Sequence, residues 1–66
     1  MDIILKGIEE AIKDEISAQK KYKRLKEKTD NAKLKALFDQ LIKDEKEHEE
    51  LLNSRYQAVK KISEEK

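Results

Sequence analysis

Glu45-Lys46-Glu47-His48 sets a carboxylate and an imidazole three residues apart in a stretch whose other recurring positions are apolar. On a helix, residues three apart stand one above the other, so Glu45 and His48 occupy a face where Leu or Ile would be expected. Glu15 interrupts an earlier apolar stripe in the same way. Together the three offer a mixed oxygen and nitrogen donor set, half of a metal site. Such donors suit iron, manganese or zinc better than calcium, which takes all-oxygen shells, or copper(I), which prefers sulfur. Cysteine is absent, which excludes disulfides and thiolate ligation from this chain.

The elements that must position the trio follow from periodicity. Ile4, Ile8, Ala11, Glu15, Ala18, Tyr22 and Leu25 step by four and three, with Ile12 widening the stripe, which predicts one amphipathic helix over 3–28. Asp2 is suited to cap its start, and Gly7 is its weak point. Thr29-Asp30-Asn31 supplies three cap-forming residues in a row, a turn over 29–31. Leu34, Leu37, Phe38, Leu41, Glu45, His48, Leu52, Val59 and Ile62 then repeat the spacing, predicting a second helix over 31–62. Leucines kept to one face argue against disorder despite the high charge. The fold class is all-α: residues 1–66 form a single antiparallel two-helix hairpin.

Each helix has one apolar stripe, and two helices packed together leave the far side of both stripes wet. A second copy completing a four-helix bundle is the expected remedy, giving an obligate homodimer or a higher even oligomer. Height along the hairpin ties the metal reading to that assembly. With Asp30 as the turn, Glu15 lies fifteen residues before it and Glu45 fifteen after, so both sit ~22 Å from the turn and face each other. A two-fold axis through mid-height brings two trios together. Four carboxylates then meet two imidazoles, and two divalent cations balance the charge if the histidines are neutral. Without metal, four like charges in a dry core are strongly unfavourable.

Composition narrows the remaining classes. At 66 residues there is one small domain. Lys plus Arg (16) nearly cancels Asp plus Glu (15), and the resulting net charge of +1 argues against nucleic acid or an anionic membrane as partner. No apolar run approaches the ~20 residues of a membrane span. The opening Met1-Asp2-Ile3 lacks a basic leader, so a cytoplasmic location is expected.

Glu15 followed by Ala18 and Tyr22, then Glu45-Lys46-Glu47-His48 thirty residues on, resembles one half of the ferritin-like di-iron carboxylate bundle, particularly its rubrerythrin and erythrin branch. The likeness runs from about Ile8 to Leu52. Each half-bundle of that family contributes a Glu from one helix and a Glu-x-x-His from the next. The resemblance therefore implies Glu15, Glu45 and His48 as iron ligands, two irons per dimer, with Glu15 and His48 terminal and Glu45 bridging. It implies for Tyr22 the role of a tyrosine hydrogen-bonded near the ligands. It is also similar to the encapsulated ferritins, two-helix proteins that build this site between subunits, and so raises a protein shell as a partner. Rubrerythrins usually carry a further carboxylate one turn after the first-helix Glu of their second half, where Ala18 stands here. With no cysteine for an attached rubredoxin centre, electrons for peroxide turnover must come from an external donor.

Two function classes follow. One is an oxidoreductase whose di-iron site oxidises Fe(II) with dioxygen or hydrogen peroxide, of the ferroxidase or peroxide-scavenging type. The other is a structural helical homodimer in which the trio holds an inert ion such as zinc, or no metal, and fixes register. Each residue also has a plainer reading. Glu15 alone suits the edge of a helix interface, Glu45 and His48 could belong to charge-rich helix sequence, and Tyr22 could simply fill space. Asp44, Glu47, Glu49 and Glu50 read as a solvated face with Lys43 and Lys46. Ile16 and Ile42, off the main stripes, read as surface isoleucines or as a contact between dimers.

Overall fold

The computed structural model describes residues 2–65, which form two α-helices and nothing else of regular structure. Helix α1 runs Asp2–Glu27 and α2 runs Ala32–Glu64. Partners across the seam fall in number on one helix as they rise on the other. Tyr56 meets Glu9, Glu49 meets Gln19 and Asp39 meets Lys26, so the helices pack as an antiparallel hairpin. The hairpin is long and flat, 55 × 15 × 9 Å. The expected all-α fold and its two-helix packing are both present.

The helix ends differ slightly from the periodicity, for local reasons. The Lys28 and Thr29 amides bond three residues back, to Leu25 O at 3.1 Å and Lys26 O at 3.4 Å, tightening the last turn and removing Lys28 from α1. Asn31 is the cap of α2 and not its first residue. Its backbone is extended (φ −74°, ψ 117°), and its Oδ1 accepts the amides of Lys33 at 2.9 Å and Leu34 at 3.0 Å. Thr29 Oγ1 in turn accepts the Asn31 amide at 3.2 Å. Asp2 lies inside the first turn of α1, where its carboxylate faces the positive end of the helix dipole. At the far end, α2 continues to Glu64, two residues past Ile62, because apolar spacing marks only what packs and misses a polar last turn.

Among the described residues none is buried. Leu37 and Leu51 are each 52% exposed and Ile62 58%, although all belong to a long amphipathic helix. The hairpin thus shields only one side of a broad apolar surface. Ile16 and Ile42 correct the surface reading above: both are half-buried within the hairpin itself. No helix among the described residues is long and apolar enough to cross a membrane.

Charge is banded along the axis. Between residues 20 and 35, Lys20, Lys21, Lys23, Arg24, Lys26, Lys28, Lys33 and Lys35 stand against Glu27 and Asp30, so the turn end is strongly basic. The middle is acidic, with Glu9, Glu10, Asp14 and Glu15 on α1 and Asp44, Glu45, Glu47, Glu49 and Glu50 on α2 outweighing Lys13, Lys43 and Lys46.

The Tyr56 hydroxyl donates to Glu9 Oε1 at 2.8 Å, a bond that joins the helices far from the turn. Donation to a carboxylate favours the protonated phenol, and this hydrogen bond, with lesser help from desolvation and the charge of Glu9, raises the Tyr56 pKa above 10.0. The contribution to stability is therefore present at neutral pH and lost as pH rises through the raised value. In a Tyr22→Phe background, ultraviolet titration should show Tyr56 ionising above its ordinary value, and Glu9→Ala should bring it back down. Identical titrations with and without Glu9 would refute the bond in solution.

Candidate metal centre

Glu15 reaches the seam from the middle of α1, and Glu45 and His48 reach it from α2, one helical turn apart. Glu15 and Glu45 are not level as equal offsets from Asp30 predict. The seam pairs Glu9–Tyr56, Gln19–Glu49 and Lys26–Asp39 set Glu15 nearer the level of Glu50, so it meets Glu45 diagonally, with His48 at an intermediate level. One donor atom from each of Glu15, Glu45 and His48 lies within 4.8 Å of the others. His48 Nδ1 is 3.7 Å from Glu15 Oε2 and 3.8 Å from Glu45 Oε2. These separations are too long for hydrogen bonds, so the three groups surround a gap. They are close to the spacing of atoms that share one small cation: ligands at ~2.1 Å in a tetrahedral shell stand about 3.4 Å apart.

Burial adds to this. The Glu15 and Glu45 side chains are only 23% and 20% exposed. Glu15 Oε2 is fully enclosed and has no hydrogen-bond partner. A carboxylate oxygen removed from water without a donor is costly, and a bound cation is one of the few groups that would offset the cost. The donor set and the orphaned oxygen therefore fit a divalent metal. His48 differs in being 58% exposed, so it opens onto the uncovered side of the hairpin.

Tyr22 is not joined to the trio within the hairpin. It lies two turns from Glu15 toward the turn end, and its ring stacks on Phe38 with centroids 6.5 Å apart and planes 21° from parallel. Among the described hydrogen bonds none links its hydroxyl to a ligand. The sequence reading also missed a neighbour of the site. Gln19 Nε2 donates to Glu49 Oε1 at 2.8 Å across the seam. Glu49 is thus no member of a solvated face, since its side chain is 17% exposed, with Lys46 Nζ at 3.9 Å. Asp44 is half-buried as well and accepts from Gln40 at 2.9 Å. The available signal was spacing: Gln19 and Glu49 each follow a ligand by four residues and so share its face.

An all-helical hairpin that gathers one Glu from its first helix and a Glu-x-x-His pair from its second has the architecture of a ferritin-like half-bundle. The family model described as Rubrerythrin matches residues 6–66, and the chain belongs to that family. Members typically bind iron, in keeping with the carboxylate and imidazole group found here. Neither the curated proteins nor the solved structures yield a match.

Proposed function

We propose that this chain is a di-iron carboxylate protein whose metal site forms between two copies and oxidises Fe(II) with dioxygen or hydrogen peroxide. The enclosed, unpartnered Glu15 Oε2, facing His48 Nδ1 at 3.7 Å, is the observation that carries the reading. Glu15, Glu45 and His48 are the ligands, two carboxylates and one imidazole per chain. Two chains supply four carboxylates for two divalent cations, with both histidines neutral. Bound there, a pair of Fe(II) ions would each give up one electron, so that oxidant is reduced in two-electron steps without release of superoxide.

The dimer rests on the uncovered apolar side. Leu51 lies one turn beyond His48 and Leu37 three turns before it, all three exposed in the hairpin. A second copy seated there covers the leucines and brings its own trio against the first. The Tyr22 hydroxyl, without a described partner in the hairpin, is assigned to the ligands of the facing copy. Reductant for repeated peroxide turnover, or a shell to receive Fe(III), comes from outside this chain.

The same donor set takes zinc, which would make the trio a structural clamp. Elemental analysis of protein purified without added metal, followed by spectra after aerobic Fe(II) loading, separates the two. Iron content and ferric absorption in the near-ultraviolet are expected. Metal should also raise the melting temperature, by the equivalent of about 2.7 kcal/mol at a hundredfold excess over Kd. That gain should fade as pH falls, because protons compete for the carboxylates. Unchanged melting with Fe(II) would overturn the site.

A further inference from the structure

The Gln19–Glu49 hydrogen bond crosses the metal trio, and its placement follows from the antiparallel packing. Gln19 lies four residues after Glu15 on α1, and Glu49 four after Glu45 on α2, each about one turn along. Because the helices run in opposite directions, these steps point opposite ways. The four residues therefore form a quadrilateral, with Glu15 and Glu45 on one diagonal and Gln19 and Glu49 on the other. The first diagonal sets two carboxylates against each other with no bond between them, and the second is closed by a 2.8 Å bond.

The two sides of the seam also differ. Neighbouring positions on a helix are about 100° apart around the axis, and His48 is 58% exposed where Glu49 is 17%. His48 opens toward the uncovered apolar side, while Glu49 packs against α1. The trio is therefore open on the side of His48 and spanned on the side of Glu49.

We propose that Gln19 and Glu49 are positioning residues: their bond is a strut that holds α1 and α2 at the spacing that keeps Glu15 and Glu45 facing one another before a cation arrives. Like-charged carboxylates push the helices apart, and a cross-seam bond at the same height resists this. Metal then binds a site already gathered. Without the strut, part of the binding energy goes into drawing the ligands together, and affinity falls. The proposal rests on the metal reading of the trio given above.

The test compares zinc affinity, by calorimetric titration of the assembled protein, with the melting temperature of the same protein free of metal. Gln19→Leu removes the donor and adds an apolar side chain at a half-buried seam position. Its metal-free melting temperature should equal or exceed the parent's, while zinc affinity drops about tenfold or more, the loss usual when a group supporting ligands is removed. Glu49→Gln retains a carbonyl acceptor without the charge and should keep affinity within about threefold of the parent, as the bond survives.

Affinity unchanged in Gln19→Leu would overturn the strut and leave the trio's metal reading standing. So would affinity lost together with metal-free stability, since that marks a merely structural contact. Affinity lost in Glu49→Gln but kept in Gln19→Leu would assign the effect to the charge of Glu49 and also overturn it. No zinc binding by the parent would remove the metal reading, and the strut with it.

Discussion

His48→Leu should stay helical and assembled, melt higher than the metal-free parent, and lose most of its Fe(II) oxidation. The three effects share one cause. His48 is exposed in the hairpin beside Leu51 on a side proposed to be covered by a second copy. There it buries an imidazole among apolar groups, and leucine at that position removes the cost of taking the ring's polar nitrogens out of water. The exchange also removes the only nitrogen donor of each trio. Per dimer, two of six protein ligands vanish and both metal positions are affected, so oxidation should fall about tenfold to a hundredfold or more. Stopped-flow absorbance after mixing anaerobic Fe(II)-loaded protein with oxygen or peroxide reads the rate at matched iron occupancy. Equal rates in parent and variant would make the structural dimer the better account.

Folding should depend on protein concentration. With no buried residue among those described, the hairpin has no core of its own to offset the entropy of ordering its chain. Sedimentation at micromolar concentration should give a dimer or an even multiple. Helicity should fall on dilution, each tenfold dilution weakening the dimer by about 1.4 kcal/mol. The basic turn end should also set the orientation of such a dimer, because hairpins joined with their turns together would press two sets of lysines against each other. Spin labels on Asp30→Cys should therefore report a separation near ~45 Å, twice the ~22 Å from turn to trio. A fully helical monomer surviving dilution would contradict the assembly, and labels within ~20 Å would contradict the orientation.

What the residues disclosed in advance depended on how local the signal was. The helices were readable because Ile8, Ala11, Tyr22 and Leu41, Leu52, Val59 hold to the helical period. The trio was readable because Glu15, Glu45 and His48 interrupt the apolar stripes, Glu15 and Glu45 each fifteen residues from Asp30 and His48 one turn on from Glu45. Cross-helix polar pairing was not. Glu49 and Glu9 sit in charge-rich segments where most carboxylates are solvated, and only the seated register brings Gln19 and Tyr56 to them. The widths of the stripes were equally ambiguous. Leu25, Leu34 and Leu37 follow the same period as Leu41 and Leu52, yet the first three are exposed in the hairpin and the other two half-buried. A broad stripe records that a surface is covered without recording by which neighbour.

The banding of charge along the helices has a kinetic side. A net charge of +1 implies almost no field at long range, but screening in physiological salt acts over ~8 Å, and the basic turn and the acidic middle lie ~20 Å apart along the axis. Their fields do not cancel where an ion meets the surface. A small cation drifting toward Lys20, Lys23 or Lys33 is repelled, while one nearing Glu10, Asp14 or Glu47 is drawn in and concentrated beside the trio. A chain that is nearly neutral as a whole therefore presents to an approaching cation, at its waist, the local field of an acidic protein, a field that added salt weakens.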